Sequence, residues 1–215
     1  MQLELSQIYK NRFSDLEKRN RVWSILVADF FQKFVKEGDV VLDMPCGYGQ
    51  FINHVRCGRK IGLDLNPDAA KHLNPGVEFL ARPSTDTGLD PQSVDFVFIS
   101  NFFEHLPRAD IVATISELRR ILRPGGRVVV LQPDIRYCPD YWMFFDHITP
   151  IDGRALIEAF ETTGFTTDRY IDRFLPFTMQ GSKPTASVLI RLYVRMPWMW
   201  RFFGAQGLLA FSRSE

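Results

Sequence analysis

Two aspartates that each end an apolar stretch are the residues whose types and spacing point most directly to chemistry. Asp43 leads into a turn that contains Gly47 and Gly49, and Asp64 lies twenty-one residues further along the chain. Glycines at such a turn allow the backbone to approach a ligand closely, and free N–H groups at the start of a following helix can receive polar ligand groups. An acid about one strand–helix unit downstream commonly binds a ribose diol. The pattern therefore predicts a site for a nucleoside-bearing cofactor.

Two histidines are candidates for proton transfer. His105 follows a predicted strand by about five residues, and His147 lies next to Asp146 in a long aromatic segment. A histidine near the strand ends can serve as a general base for an acceptor, such as an alcohol, that must lose a proton. Each histidine also has a structural interpretation: His105 as a residue that fixes its loop, and His147 as a capping or packing residue. Both interpretations are left open by the sequence.

Alternating strand and helix patterns position these residues. Strands are predicted over residues 40–43, 60–64, 77–80, 94–100, 127–132, 165–171 and 207–212, and helices over 15–36, 50–55, 67–73, 109–122, 152–163 and 187–196. Near-continuous apolar strands that alternate with helices favour a parallel sheet covered on both faces. Ligands of such sheets bind at the carboxyl ends of the strands, where Asp43, Asp64 and Asn101 all fall.

Length and composition favour one globular domain. The chain has 215 residues, of which 46% are hydrophobic and 24% charged. Three cysteines are too few and too scattered for a disulfide scaffold or a zinc site, so no metal site is predicted. Residues 1–20 are too polar for the apolar core of a signal peptide, and no uncharged apolar run reaches the roughly 18 residues of a membrane span. We therefore expect a cytoplasmic protein with reduced thiols.

Charge is unevenly distributed along the chain. The net charge is +1, but residues 173–214 hold six bases and no acid, so this end with Glu215 carries +5 and residues 1–172 carry −4. Segment 184–203 combines bases with aromatic residues and an apolar helix face. It is either a packed cap over the substrate pocket, with arginine stems lying along apolar surface, or a patch that contacts anionic lipid. The second interpretation predicts a protein peripheral to the inner face of a membrane.

The strand-end motifs resemble those of the class I S-adenosylmethionine-dependent methyltransferases. That family has an acid followed by alternating glycines after its first strand, seen here from Asp43 to Gly49 with Pro45 in place of the first glycine. Asp64 corresponds to the acid that ends the second strand, and Asp95 to the aspartate that opens the fourth. Residues 118–127 resemble the helix-to-strand turn that follows, and the resemblance covers about residues 39–132.

The resemblance implies a Rossmann-like, doubly wound α/β fold. Its mixed sheet would have seven strands with helices on both faces, and the last strand would be antiparallel. The whole chain, residues 1–215, would form a single methyltransferase domain. Its parts would be a helical cap (1–37), a cofactor-binding half (38–132), a substrate loop (133–151) and a basic aromatic insertion (172–206).

The resemblance also implies S-adenosylmethionine as the cofactor. The residues placed around it are Asp43, Cys46, Gly47, Gly49, Asp64, Leu65 and Asn101. By analogy, the two glycines would line the methionine half, Asp64 would accept hydrogen bonds from the ribose hydroxyls, and Asn101 would face the sulfonium. An ordinary tight turn and an exposed helix cap are the structural alternatives. A nicotinamide cofactor is disfavoured because its fingerprint has a different glycine spacing.

The expected function is methylation of a small-molecule or saccharide acceptor, lipid-linked or free, at oxygen rather than nitrogen. His147 and His105 are the candidate catalytic residues. The alternative is a regulatory protein that binds the cofactor without transferring its methyl group, in keeping with Pro45 and with the lack of an acid at the expected place after the third strand. A nucleic-acid partner is not expected, because the charge is near neutral and residues 101–104 lack a Pro-Pro-aromatic signature. The sequence makes no prediction of oligomeric state.

Overall fold

A computed structural model describes residues 15–138, 140–176 and 186–214 of the chain. The strands are β1 (Val40–Asp43), β2 (Arg59–Leu63), β3 (Val77–Leu80), β4 (Val94–Ser100), β5 (Leu122–Pro133), β6 (Phe165–Leu175) and β7 (Gln206–Arg213). The α-helices are α1 (Leu16–Asp29), α2 (Arg108–Ile121), α3 (Gly153–Thr162), α4 (Ser187–Arg195) and α5 (Pro197–Phe203). Short 3-10 helices span Phe31–Phe34, Pro67–His72, Phe103–His105 and Tyr141–Met143.

The strands form one seven-stranded sheet in the order β3-β2-β1-β4-β5-β7-β6. Neighbouring strands are parallel from β3 to β5, whereas β7 runs antiparallel to both β5 and β6. The order of the strands reverses between β1 and β4, which is the place where open α/β sheets bind ligands. The predicted mixed sheet with an antiparallel last strand is confirmed.

Helices cover both faces of the sheet. Successive strand residues point to opposite sides, so neighbours along a strand pack in different clusters. Leu42 and Val97 pack in one buried cluster with apolar residues of α2 and α3. Val41 and Phe96 pack in a second cluster with residues of α1, α4 and α5. The near-continuous apolar strands of the sequence are therefore the signature of a sheet buried on both sides.

Helix α2 buries the apolar stripe that its sequence predicts. Ile111, Ile115 and Leu118 are all buried against the sheet. The helix ends at Ile121, one residue earlier than predicted, because Leu122 already pairs with Val94 of β4.

Asp95 has a structural role. Its carboxylate accepts a hydrogen bond from the backbone N–H of Val40 at 2.8 Å and faces the guanidinium of Arg123 at 2.5 Å. The side chain therefore ties the start of β1 to β4 and to the chain that leaves α2.

The predicted helix over residues 50–55 is wrong: this segment forms hydrogen-bonded turns. The N–H groups of Asn53 and Val55 donate to the carbonyls four residues earlier, whereas the N–H of Ile52 donates to the carboxylate of Asp43. The Asn53 side chain bonds the carbonyl of His72 and the N–H of Asn74, at 2.9 and 2.8 Å. The Gln32 side chain accepts from the N–H of Arg56 at 2.9 Å. Neighbouring segments therefore determine the path of this chain more than local helix propensity does.

The C-terminal part differs from its predicted boundaries. Strand β6 continues to Leu175 rather than ending at residue 171, and α5 is a helix that the sequence pattern did not predict. Residues 177–185 of the predicted insertion, and residues 1–14 of the predicted cap, lie outside the described residues. Among the helices that the structure describes, none combines the length and apolar character needed to span a bilayer.

The aromatic core between α1 and the sheet generates a stability prediction. Phe98 is 1% exposed, and its ring centroid lies 4.0 Å from that of Phe51 and 5.1 Å from that of Phe31. We expect Phe98→Ala to lower the free energy of unfolding by about 3–5 kcal/mol in urea denaturation, because it leaves a cavity. The control Phe202→Ala removes a ring that is 67% exposed and should change stability by no more than about 0.5 kcal/mol. Equal effects of the two substitutions would contradict the packing.

Candidate active site

The turn after β1 crosses the point where the strand order reverses. The N–H of Met44 donates to the carbonyl of Phe98 in β4, and the N–H of Cys46 donates to the carbonyl of Leu63 at the end of β2, both at 2.9 Å. The Met44–Pro45 peptide between these anchors is cis. The turn is therefore held at both sides by the strands that flank β1, and its following residues project over the carboxyl edge of the sheet.

Asp64 joins this turn to the end of β2. Its Oδ2 accepts a hydrogen bond from the N–H of Gly47, and its Oδ1 accepts one from the N–H of Asn66, both at 2.9 Å. Burial raises the pKa of the Asp64 carboxyl, and the two backbone hydrogen bonds oppose that rise. Each carboxylate oxygen has a second lone pair, so the group can still accept hydrogen bonds from two vicinal hydroxyls.

The two glycines of the turn have different roles. Both adopt positive φ, +49° at Gly47 and +73° at Gly49. A Cβ on Gly49 would lie 2.5 Å from Nδ2 of Asn53 and 2.8 Å from Cδ2 of Leu73, so this position needs glycine for close packing. A Cβ on Gly47 would meet nothing closer than the Gln50 side chain at 4.0 Å. Gly47 therefore faces open space, as expected of a residue that lets a ligand approach.

Asp43 lies beneath the turn, where it is 3% exposed. Its Oδ2 accepts a hydrogen bond from the N–H of Ile52 at 3.2 Å. Burial raises the pKa of the Asp43 carboxyl well above its ordinary value; the Ile52 hydrogen bond opposes this rise and the negative charge of Asp64 adds to it. The geometry makes Asp43 an anchor for the chain that follows the turn.

Three further predicted cofactor residues lie around this edge. Cys46 is buried against the backbone of Gly62, and burial raises the pKa of its thiol. Leu65 follows Asp64 and is 62% exposed, so it can cover a planar group bound beside the carboxylate. Asn101 adopts φ +50° directly after β4. Its Nδ2 donates to Ser100 Oγ at 2.9 Å, and its buried Oδ1 has no hydrogen-bond donor among the described residues.

These observations fit S-adenosylmethionine. Asp64 offers a carboxylate for a ribose diol, Gly47 leaves space for close approach, and Asn101 presents a buried amide oxygen at the neighbouring strand end. All three lie at the carboxyl edge of adjacent parallel strands.

The two candidate histidines lie together beside this edge. Their ring centroids are 4.9 Å apart. His105 is partly exposed, and its Nδ1 lies 3.0 Å from the carbonyl oxygen and 3.4 Å from the carboxylate of Asp146. His147 is buried and also contacts the rings of Tyr141 and Phe144. Asp146, the sequence neighbour of His147, therefore faces the other histidine.

The predicted substrate loop is packed onto the 3-10 helix that follows β4. The N–H groups of Ile148 and Thr149 donate to the carbonyl of Glu104 at 2.9 and 3.1 Å. The loop buries Tyr141, whose hydroxyl donates to the Thr149 carbonyl at 2.6 Å. In contrast, it leaves three large apolar side chains exposed: Trp142, Phe145 and Ile148. The loop therefore offers an ordered apolar surface beside the histidines.

Two residues of this region were not predicted from the sequence. Glu104 is 1% exposed and lies beside both histidines, and its position directly before His105 was the signal that could have identified it. Arg136 binds Asp134 at 2.8 Å and Asp172 at 2.5 Å and so ties the start of the loop to β6. No local pattern indicates Arg136, because its partner Asp172 is thirty-six residues away.

The raised pKa of Asp43 generates a prediction about pH. Above the ordinary aspartate pKa, about 3.9, the unfolded chain has released a proton that the folded chain still holds, so this group lowers stability as pH rises towards its folded pKa. Asp43→Asn removes the titration and keeps an oxygen that can accept from Ile52. The free energy of unfolding of wild type minus that of the variant should therefore fall as the pH rises above about 4 in urea denaturation. A difference that does not vary with pH would contradict the assignment.

Comparison with known proteins agrees with this geometry. Residues 42–130 match the sequence profile of a family described as methyltransferase domain. A demethylmenaquinone methyltransferase from Oceanobacillus iheyensis is 23% identical over 178 residues, which cover 72% of this chain and 74% of that protein. Another from Staphylococcus carnosus is 25% identical over 182 residues, which cover 74% of this chain and 73% of that protein.

The fold is likewise similar to that of a solved methyltransferase. An S-adenosylmethionine-dependent methyltransferase from Archaeoglobus fulgidus matches with a TM-score of 0.70 and 18% identity, covering 98% of this chain and 100% of that one. The profile match spans β1 to β5 and includes both Asp43 and Asp64. The chain therefore carries a class I methyltransferase domain, and its cofactor is S-adenosylmethionine.

Proposed function

We propose that the protein methylates a hydroxyl oxygen of a small-molecule or saccharide acceptor that carries an apolar, lipid-like part. The observation that carries this proposal is the placement of Glu104, His105 and His147 beside Asn101, on the same sheet edge as Asp64. The part of this edge at the ends of β1 and β2 suits the cofactor. The part after β4 suits an acceptor whose proton must be removed.

The cofactor supplies a methyl group that is already activated on a sulfonium. The protein therefore has to position the reactants and keep water away from them. In this proposal Asp64 holds the ribose, Gly47 lines the methionine half and Asn101 contacts the reacting end. Leu65 covers the nucleoside. Asp43, Cys46 and Gly49 act beneath them by keeping the turn in place, through the buried contacts described above.

An alcohol acceptor differs from an amine in that its proton is not lost readily near neutral pH. His105 and His147 are the groups that remove it in this proposal. His105 is the more accessible of the two, whereas His147 is 5% exposed and lies behind it. The cluster gives a physical reason to favour oxygen as the methylated atom.

An apolar acceptor is supported by the side chains that the substrate loop exposes. Phe145 is 82% exposed, and Trp142 and Ile148 are more than half exposed. Exposed apolar groups beside a candidate active site suit an apolar ligand. The relatives named as demethylmenaquinone methyltransferases make that compound a further acceptor to examine.

A second apolar surface supports contact with a membrane. We define the C-terminal patch as the exposed apolar residues of α4 and α5: Val188, Leu189, Leu192, Trp198, Phe202 and Phe203. Tryptophan and phenylalanine beside basic residues suit the headgroup region of anionic bilayers. Arg191 and Arg195 both face Asp29 of α1, at 2.7 and 3.5 Å, so insertion of apolar groups contributes more here than charge does. In this proposal the protein works at the cytoplasmic face of a membrane.

Calorimetric titration of S-adenosylmethionine tests the cofactor site. Asp64→Ala should weaken binding by roughly ten- to a hundredfold, because it removes a charged hydrogen-bond acceptor worth about 1.5–3 kcal/mol. The matched control is Asp68→Ala, which removes a nearby exposed aspartate paired with Lys71. The control should bind as wild type does, and thermal melting should show that both variants are folded. Equal affinity of Asp64→Ala and wild type would contradict the assigned role.

Transfer of a labelled methyl group tests the acceptor. The panel should contain hydroxylated saccharides, lipid-linked saccharides, aromatic alcohols and demethylmenaquinone, each with an amine analogue where one exists. Label on oxygen supports the proposal, and label on nitrogen or carbon contradicts it. Cofactor binding without a labelled product in any class would favour the regulatory protein that the sequence left as the alternative.

Co-sedimentation with vesicles tests the C-terminal patch. The wild-type protein should bind vesicles that contain phosphatidylserine at low salt, and the double substitution Trp198→Ala/Phe202→Ala should lower the bound fraction several-fold. The control Val112→Ala removes an apolar side chain that is 53% exposed on α2, which covers the opposite face of the sheet. No binding by the wild type to these vesicles would rule out the membrane contact.

A further inference from the structure

We infer that Glu104, His105 and His147 form a binding site for a divalent transition-metal cation. The site stands on the geometry of these three side chains, and the role given to it below rests on the proposed function. It lies outside the residues assigned to the cofactor.

The three side chains converge although they come from different segments. Each offers one ligand atom, and these atoms all lie within 4.8 Å of one another. Glu104 and His105 belong to the 3-10 helix that follows β4, and His147 belongs to the substrate loop. The Glu104 carbonyl accepts the backbone hydrogen bonds of Ile148 and Thr149 and therefore fixes the two segments relative to each other.

Glu104 is the side chain that most needs a cation. It is 1% exposed, and its Oε2 accepts a hydrogen bond from Gln132 Nε2 at 2.8 Å. Its Oε1 is buried, and no other residue of the described chain donates a hydrogen bond to it. This oxygen faces Nε2 of His105 at 3.9 Å. A buried carboxylate is costly unless it is paired or binds a metal.

His105 is oriented so that its Nε2 can bind the same cation as Glu104. Its Nδ1 lies 3.0 Å from the carbonyl oxygen of Asp146, and a carbonyl can only accept, so Nδ1 carries the hydrogen. In the neutral ring, Nε2 then has the free lone pair and points towards Glu104. Histidines that bind metals commonly donate their other N–H to a backbone carbonyl or carboxylate, and Gln132 orients Glu104 in the same way.

His147 provides the third ligand and comes from the substrate loop. Its ring lies 4.9 Å from both His105 and Tyr141, centroid to centroid, and is buried. This packing holds the imidazole in place before any ion binds. Such preorganisation lowers the cost of ordering a ligand set.

The donor set indicates the class of ion. Two imidazoles with one carboxylate suit Zn²⁺, Fe²⁺, Mn²⁺ or Co²⁺, whereas Mg²⁺ and Ca²⁺ prefer oxygen ligands. Ligand atoms around Zn²⁺ lie about 2.0–2.2 Å from the metal and so about 3.4 Å from one another. Binding would therefore draw the three atoms together by up to roughly 1.4 Å. Three protein ligands leave at least one position open.

The position of the site gives the ion a task in the proposed reaction. The cluster begins three residues after Asn101, at the edge where the acceptor is proposed to bind. An alcohol oxygen in the open coordination position would release its proton to solvent at a lower pH than the free alcohol does. The two histidines would then act by holding the cation instead of by accepting the proton themselves.

Metal titration of the full chain tests the site without reference to activity. After treatment with chelator, Co²⁺ should produce visible absorption bands of a four- or five-coordinate ion at one equivalent, and Zn²⁺ should displace it. Calorimetry with Zn²⁺ should show one site, and His105→Gln and Glu104→Gln should each weaken it at least about tenfold. The matched control His54→Gln removes a partly buried histidine that bonds to Asn20, and it should bind Zn²⁺ as wild type does.

The outcomes separate this inference from the proposed function. Absence of the Co²⁺ bands and of Zn²⁺ binding in the wild type overturns the metal site, and so does binding that both cluster variants retain. Methyl transfer to oxygen without a metal would then leave the proposed function standing, with a histidine as the base. Metal binding in a chain that fails to bind S-adenosylmethionine would overturn the proposed function alone. Because Glu104→Gln replaces a buried group, the partly exposed His105→Gln provides the second variant, and thermal melting confirms that each is folded.

Discussion

The hydrogen bond from the N–H of Gly47 to the carboxylate of Asp64 is the contact on which the carboxyl edge of β1 and β2 depends. It exists because β1 and β2 are parallel neighbours, so their carboxyl ends lie side by side, and because Gly47 adopts a positive φ that turns its N–H towards the acid. The same carboxylate binds the N–H of Asn66 and thereby orders the chain after β2. One side chain thus determines the positions of two loops, and these loops carry residues proposed to contact the cofactor.

Buried acids are concentrated along this edge of the sheet. Burial raises the pKa of Asp43, Asp64 and Glu104, which means that folding opposes their ionised forms. A fold selected for stability alone would place apolar residues there. Clusters of ionisable groups with raised pKa values are more typical of functional sites, and their common location agrees with one continuous site for cofactor and acceptor.

Different elements cover the two faces of the sheet next to this edge. Helices α2 and α3 bury one face, and the chain that follows β5 returns across the strand ends as the substrate loop before α3 begins. On the other face, Trp23 of α1 and Phe31 of the following 3-10 helix pack against Phe98, while α4 and α5 expose the C-terminal patch. The contacts of Arg136 with Asp134 and Asp172 hold the start of the loop against β6. The region proposed to bind the acceptor is therefore packed against the rest of the domain.

The sequence by itself determined the alternation of strands and helices along the chain and the bounds of β1, β3 and β4, because these follow from local apolar patterning. It also placed acids at the strand ends. It failed over residues 50–55, where contacts of Asn53 with a distant segment override helix propensity. Only the tertiary structure decided which group faces which. Asp146 adjoins His147 in the chain but bonds to His105, forty-one residues away, and Glu104 meets both histidines through the folding of the loop. Adjacent side chains leave the backbone in different directions, so the packing of remote segments, and not their spacing in the chain, assembles the site.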